Sequence, residues 1–284
     1  MTLRECLSCG REILAGSDIA YPSLESELFL RQALKLSRVQ LYINFDLKLS
    51  PEQEATFWGL VKRRLKGEPT AYISGHREFY GLDFYTDPNV LIPRPETELL
   101  VEKTIDLAKG RSLPVIADIG TGCGAIAISL ALKLPRAKIY ATDISAPALE
   151  VAQANCLNHG VANRVLLLQG HMLEPLPLPV DLIVSNPPYV KERELGGDNF
   201  EPALALNGGI DGLDLIRQLC HQIGGKLRRG GYLLLEMGQG QKGVVTNLLS
   251  RLFPLAEIEV SPDLSGIDRV VSAVLAPISA VRVE

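Results

Sequence analysis

This 284-residue chain has no surplus of positive charge: 29 Lys and Arg stand against 33 Asp and Glu, a formal net charge of −4. Each contact to a nucleic-acid phosphate calls for a Lys or Arg, so proteins that grip that backbone carry a basic face. The composition argues against such a clamp. Cysteine is sparse and odd in number. The five (Cys6, Cys9, Cys123, Cys156, Cys220) lack the spacing of a disulfide framework and read as free thiols of a reducing compartment. Cys6-Leu7-Ser8-Cys9 is a lone C-x-x-C with no second pair and no histidine cluster, so no metal site is expected. Nor is there an uncharged apolar run long enough to span a bilayer. Met1-Thr2-Leu3-Arg4-Glu5 interleaves charge where a signal peptide would be apolar. A cytoplasmic protein with no membrane association is expected. Internal repeats and low-complexity tracts are also missing. What is present, 46% hydrophobic and 22% charged residues, supplies ample material for a folded core.

Periodicity divides the chain. Residues 1 to about 75 read as helices, one of them from about Ser23 to Leu36. Ser50-Pro51-Glu52-Gln53 combines an N-cap serine, a first-turn proline and a capping-box glutamine. Phe57, Leu60, Val61 and Leu65 follow at helical spacing, and Gly67 supplies the stop. The aromatic run Phe79-Tyr80-Gly81-Leu82-Asp83-Phe84-Tyr85 suits a short hairpin. A proline-rich linker, Ile92-Pro93-Arg94-Pro95, comes next, with a helix starting near Glu96. From about residue 111, short apolar runs (Val115–Ile119, Lys138–Thr142, Val165–Leu168, Leu182–Ser185, Tyr232–Leu235) alternate with helical stretches near Ala125–Leu134, Pro147–Asn158 and Leu213–Leu227. Two more strands, Ala256–Val260 and Arg269–Leu275, have no helix between them and should pair antiparallel at one edge. The expectation is an α/β fold: a doubly wound, mostly parallel seven-stranded sheet behind a small helical domain. The domains expected are residues 1–78, a hairpin and linker over 79–95, and 96–284.

Three constellations carry chemistry. Asp118-Ile119-Gly120-Thr121-Gly122-Cys123-Gly124 follows the apolar Val115-Ile116-Ala117. Glycines at a strand-to-helix turn let a ligand approach the backbone, and nucleotide-like ligands bind at such strand ends. The glycine spacing departs from the pyrophosphate fingerprint, and an acidic residue opens the turn, which favours an ammonium over a phosphate. Asp143, at the end of Ile139-Tyr140-Ala141-Thr142, can accept from both hydroxyls of a ribose, while Ser145 is free to cap the helix behind it. Asn186-Pro187-Pro188-Tyr189 leaves the apolar strand Asp181-Leu182-Ile183-Val184-Ser185. Prolines remove donors and leave carbonyls free to accept, Asn186 adds a side-chain carbonyl, and Tyr189 adds a flat ring. Acceptors for both hydrogens of a planar NH₂ group favour a pyramidal nitrogen whose lone pair has left conjugation.

In order and spacing these elements resemble the class I methyltransferases that act on amide or exocyclic nitrogens. Further stretches resemble the release-factor glutamine methyltransferases (the PrmC/HemK family): Gly67-Glu68-Pro69-Thr70-Ala71-Tyr72-Ile73-Ser74-Gly75, Glu78-Phe79-Tyr80-Gly81, Leu91-Ile92-Pro93-Arg94-Pro95-Glu96-Thr97-Glu98, Glu201-Pro202-Ala203-Leu204-Ala205-Leu206 and Asp268-Arg269-Val270-Val271. The resemblance covers most of the chain from about residue 20. It implies methyl transfer from S-adenosylmethionine to the side-chain amide nitrogen of the glutamine in the Gly-Gly-Gln motif of class I peptide release factors. It also implies that the turn Gly120, Thr121, Gly122, Cys123 and Gly124 holds the methionine part of the cofactor, where the charge of Asp118 already suits the ammonium, that Asp143 holds its ribose, and that Asn186, Pro187, Pro188 and Tyr189 hold the substrate amide, with Asn186 also beside the cofactor and Asn186, Pro187 and Tyr189 as the catalytic residues. Where the family often carries an acidic residue and then an aromatic one beside the adenine, this chain has Gly170-His171-Met172-Leu173, so His171 stands for the acidic residue and lines the adenine pocket, Met172 or Leu173 stands for the aromatic one, and Met172 is carried over as the adenine-side contact. The implied mechanism is in-line displacement without a metal or a dedicated base. The nearest rival reading is a DNA or RNA amino-group methyltransferase acting on adenine or guanine. That would need a basic appendage, whereas residues 1–80 hold 11 basic and 10 acidic side chains. A nicotinamide-dependent oxidoreductase, the rival from another class, is disfavoured by the glycine spacing.

Overall fold

Local capping chemistry organises the first part of the chain. The computed structural model describes residues 1–17, 19–196 and 199–275, and it divides into the units Met1–His76 and Arg77–Glu284. The first unit holds α1 (Leu3–Ala15), α2 (Pro22–Leu34), α3 (Arg38–Ile43), α4 (Pro51–Leu65) and α5 (Thr70–Ser74). Ser50 opens α4 as the sequence predicts: its hydroxyl accepts from the Gln53 amide, and the Gln53 side chain accepts from the Ser50 amide. Thr2 with Glu5 and Ser37 with Gln40 repeat this reciprocal cap at α1 and α3. Phe57 and Val61 turn inward against Leu3, Leu14, Phe29, Leu30 and Leu41. Leu65, on the same periodic stripe, is exposed at the helix end. Gly10 allows α1 its close approach, because a Cβ there would lie 2.5 Å from Ser26 Oγ and 2.7 Å from the Phe57 ring.

A hairpin of β1 (His76–Phe79) and β2 (Leu82–Tyr85) follows, its first residue closing the first unit and the rest opening the second. The aromatic run placed this hairpin within 79–85, but its first strand starts at His76. Tyr80 and Gly81, with φ of 55° and 73°, are the turn, as a two-residue loop of this hand requires. One 3₁₀ turn, Pro95–Thr97, leads into α6 (Glu98–Ala108). There follow β3 (Val115–Ile119), α7 (Ala125–Lys133), β4 (Lys138–Asp143), α8 (Ala146–Asn158), β5 (Val165–Gln169), β6 (Val180–Ser185), α9 (Ala203–Leu206), α10 (Asp214–Gln222), β7 (Leu227–Glu236), α11 (Lys242–Leu252), β8 (Glu257–Pro262) and β9 (Asp268–Val274). Asn155 of α8 ties the hairpin down, accepting from Tyr85 N and donating to Tyr85 O.

The sheet has seven strands in the order β5-β4-β3-β6-β7-β9-β8, parallel except for β9, which runs antiparallel to both of its neighbours. The terminal pair expected at one edge is therefore present, with β9 inserted against β7. β6 is buried at every position, as a strand covered on both faces must be. Two boundaries in the sheet region differ from the sequence reading by four residues or more. The helix expected to reach Leu227 ends at Gln222, and β7 is ten residues long. Arg228 and Arg229 hide the strand's beginning from a search for apolar runs. Arg228 pairs with the buried Asp181 of the neighbouring strand, which also accepts from Arg111 and from Val115 N. Chain order places β4 and β5 on one side of β3 and β6 on the other, so the carboxyl ends of β3 and β6 flank the switch point where such sheets bind ligands. No helix among the described residues is long and apolar enough to cross a membrane.

Candidate active site

A cavity of about 310 Å³ opens at those strand ends, and its walls are mainly apolar. The glycine turn forms one wall. Gly120, Gly122 and Gly124 take φ of 71°, 54° and 86°, a region that side-chain-bearing residues avoid. Gly120 N and Thr121 N both donate to Thr142 O, at 2.9 and 3.0 Å, which pins the turn to β4. Gly120 and Gly122 line the cavity, and nothing lies within 4 Å of where their Cβ atoms would be. Asp118, Thr121, Cys123 and Gly124 stand behind this wall. Asp118 is fully buried, and its Oδ2 accepts from Thr121 Oγ1 at 2.7 Å and from Ala127 N at 3.2 Å, joining the turn to the start of α7. Its Oδ1 is buried with no partner among the described residues, and burial pushes its carboxyl up to about 7. Cys123, buried, has its thiol pushed up to about 12, and its carbonyl accepts from Asn155.

Asp143 ends β4 on the cavity wall. Its Oδ2 accepts from Gly122 N and its Oδ1 from Ser145 N, each at 2.9 Å, and each oxygen keeps a lone pair for a further donor. Burial raises its pKa against the pull of those amide bonds. Ser145, not Asp143, caps α8 by accepting from Ala148 N. Beyond β5, Met172 lines the cavity in a left-handed conformation, φ 52°, and its carbonyl accepts from Thr142 Oγ1. His171 lies beside it and is hydrogen-bonded to Gln222.

The chain leaving β6 supplies the opposite wall through Asn186, Pro187 and Pro188. Tyr189 turns away from the cavity: its hydroxyl donates to Glu236 Oε1 at 3.2 Å, and its carbonyl accepts from Gln241 Nε2. Burial and the neighbouring Glu236 push the Tyr189 phenol up to about 12. Glu236, the last residue of β7, is buried and accepts at its other oxygen from Thr97 Oγ1 at 2.6 Å. Thr97 in turn accepts from Asn186 Nδ2 at 3.1 Å. The ring expected to face a substrate is thus tied into a polar chain behind Asn186. Sequence reasoning singled out neither Glu236 nor this role of Thr97. The available signal was a carboxylate closing the apolar strand Tyr232–Leu235, where an ionisable group needs partners.

Two further segments line the cavity: Asn89, Val90 and Leu91 before the proline-rich stretch, and Pro202, Leu204 and Ala205 after the Asn186 loop. Glu201 ties one to the other, accepting from Ile92 N at 3.0 Å and pairing with Arg94. Two of the motifs quoted for the family resemblance therefore meet at one edge of the cavity.

Residues 5–75 match the PrmC N-terminal domain family, and residues 95–201 match the methyltransferase small domain family. The chain is 44% identical over 274 residues to a release factor glutamine methyltransferase of Moorella thermoacetica, covering 95% of this chain and 97% of that protein. It is 42% identical over 276 residues to a protein of the same name from Geobacter sulfurreducens, at 95% coverage of both. A methyltransferase structure from Pyrococcus furiosus superposes with a TM-score of 0.54 at 21% identity, covering 70% of this chain and 91% of that one, a likeness of fold.

Proposed function

Because the chain belongs to the release factor glutamine methyltransferase family, we propose that it transfers a methyl group from S-adenosylmethionine to the glutamine side-chain amide in the Gly-Gly-Gln motif of class I peptide release factors. The observation that carries this reading is a single apolar cavity bounded by the open turn of Gly120 and Gly122, the carboxylate of Asp143 and the loop of Asn186, Pro187 and Pro188. The cavity suits the cofactor, since Gly120 and Gly122 offer a cradle that any Cβ would fill. When bound, S-adenosylmethionine supplies an electrophilic methyl on a sulfonium.

The remaining work falls to the chain. Asp143 accepts from ribose hydroxyls with the lone pairs left over from Gly122 N and Ser145 N. Met172 packs on the adenine side. Asp118, with an unpaired buried oxygen behind the turn, favours positive charge in front of it. Asn186 accepts one amide hydrogen of the substrate through its Oδ1, and a proline-loop carbonyl accepts the other. Holding both hydrogens draws the nitrogen lone pair out of conjugation and towards the methyl. Orientation and fixed dipoles, rather than a strong base, then lower the barrier, because a methylated amide cation is acidic enough to lose its proton unaided. The helical unit, near neutral in charge, recognises the protein substrate, and the enzyme works in the cytoplasm where translation terminates.

A labelled-methyl transfer assay offering release factor, DNA and ribosomal RNA side by side tests the reading. Label on the Gly-Gly-Gln glutamine alone is the expected result, and label on nucleic acid alone would overturn it.

A further inference from the structure

The two ends of a primary amide are nearly alike in shape but opposite in hydrogen-bonding sense, so neighbours decide which end faces which way. For Asn186 this choice matters. With Oδ1 towards the cavity it offers an acceptor to an N–H group; reversed, it would offer two donors to a group that is itself a donor. Asn186 Nδ2 donates to Thr97 Oγ1 at 3.1 Å, and no donor among the described residues meets its Oδ1. Thr97 has one hydroxyl hydrogen, and it is committed: Oγ1 donates to Glu236 Oε2 at 2.6 Å. Towards Asn186 the hydroxyl can therefore only accept. Glu236 keeps it so by accepting at both oxygens, from Thr97 on one and from Tyr189 Oη on the other. Thr97 and Glu236 are 5% and 1% exposed, so water does not compete for these bonds.

We propose that Thr97 and Glu236 are positioning residues that fix the sense of the Asn186 amide, holding its NH₂ inward and presenting its carbonyl to the substrate nitrogen. The three residues come from separate elements: the 3₁₀ turn before α6, the end of β7 and the end of β6. The fold thus aligns a strand tip, its parallel neighbour and the turn leading to a helix to orient one side chain. This inference rests on the methyl-transfer reading for its consequence, but the amide's sense is a property of the protein alone.

Thr97→Val keeps the shape and removes the hydroxyl; Thr97→Ser keeps the hydroxyl. In the full-length enzyme acting on intact release factor, Thr97→Val should lower kcat by ~10–100-fold, since an interaction realised in the transition state is weakened. KM and affinity for S-adenosylhomocysteine should stay within about two-fold, and Thr97→Ser should recover most of kcat. In the Asn186→Ala background the same Thr97→Val change should cost nothing further, because the group being positioned is gone. A signature independent of turnover is the Asn186 side-chain NH₂ resonance in isotope-labelled protein, assigned by its loss in Asn186→Asp. It should be protected from solvent exchange in wild type and Thr97→Ser and exposed in Thr97→Val. Equal protection in Thr97→Val would overturn the proposal whatever the substrate. So would an unchanged kcat, or an equal drop in kcat with and without Asn186. A wild type that labels no glutamine but shows the protection pattern would refute the substrate reading and leave the positioning role standing.

Discussion

Asp118 and Asp143 lie on adjacent parallel strands, yet their carboxylates meet different surroundings. Asp143 is bonded at both oxygens and still reaches the cavity, so its removal should act on the cofactor. Asp143→Ala is expected to weaken S-adenosylhomocysteine binding by about 1.5–3 kcal/mol, the worth of hydrogen bonds to a charged acceptor, measurable by calorimetric titration. Asp118 is sealed in, with one oxygen unpaired among the described residues. Its folded pKa of about 7 lies above the ordinary 3.8, so the folded state holds the proton more tightly than the unfolded chain. Stability from this group is complete at low pH and declines as pH rises from about 4 through about 7. Asp118→Asn removes that decline. The variant should gain stability relative to wild type, by up to a few kcal/mol, between about pH 5 and pH 8 in denaturant unfolding without cofactor. A constant difference across that range would show that Asp118 does not titrate there. At Asn186 the expected order is equally specific. Asn186→Ala should lose about 10²–10³ in kcat with little change in cofactor affinity. Asn186→Asp should do no better, because its second oxygen would face a Thr97 lone pair whose hydrogen already belongs to Glu236. Full activity in either variant, read by methyl transfer to release factor, would remove Asn186 from the mechanism.

At the scale of elements, local chemistry set the boundaries where it was legible. The Ser50–Gln53 box was readable because caps act within four residues, and α4 begins there. Ser50→Ala should destabilise the protein by about 1 kcal/mol in denaturant unfolding without altering cofactor affinity. The hairpin was misplaced by three residues because its turn depends on two positive φ angles at Tyr80 and Gly81, while the aromatic run drew attention to its second strand. The early half of β7 was missed for a related reason. Its arginines look like solvated charge in the sequence, and only the neighbouring strand, through Asp181, gives one of them a buried partner. Glu201 belongs with these long-range cases: it joins segments more than a hundred residues apart along the chain, and its partners Arg94 and Ile92 lie in the stretch expected to be a linker.

At the scale of the molecule, the units Met1–His76 and Arg77–Glu284 each have their own apolar core. Deleting residues 1–75 is expected to abolish methylation of intact release factor while leaving S-adenosylhomocysteine affinity within a few-fold, read by paired transfer and calorimetric assays. Retained transfer would take recognition away from the helical unit. The alternation of apolar runs and helical stretches was enough to determine a doubly wound sheet, since period and chain direction leave few ways to bury such strands. The glycine turn, Asp143 and the Asn186 loop were likewise legible, because each chemistry is written in consecutive residues at a strand tip. The tertiary structure alone decided which of them face one cavity. It turned Asp118 and Tyr189 away from it, brought residues 89–91 and 202–205 to its edge, and set Thr97 and Glu236 behind Asn186. The physical reason is that hydrogen bonds and burial act through space. Thr97 and Glu236 are separated by 139 positions, and the packing of α6, with the turn that leads into it, against β7 is what sets them 2.6 Å apart.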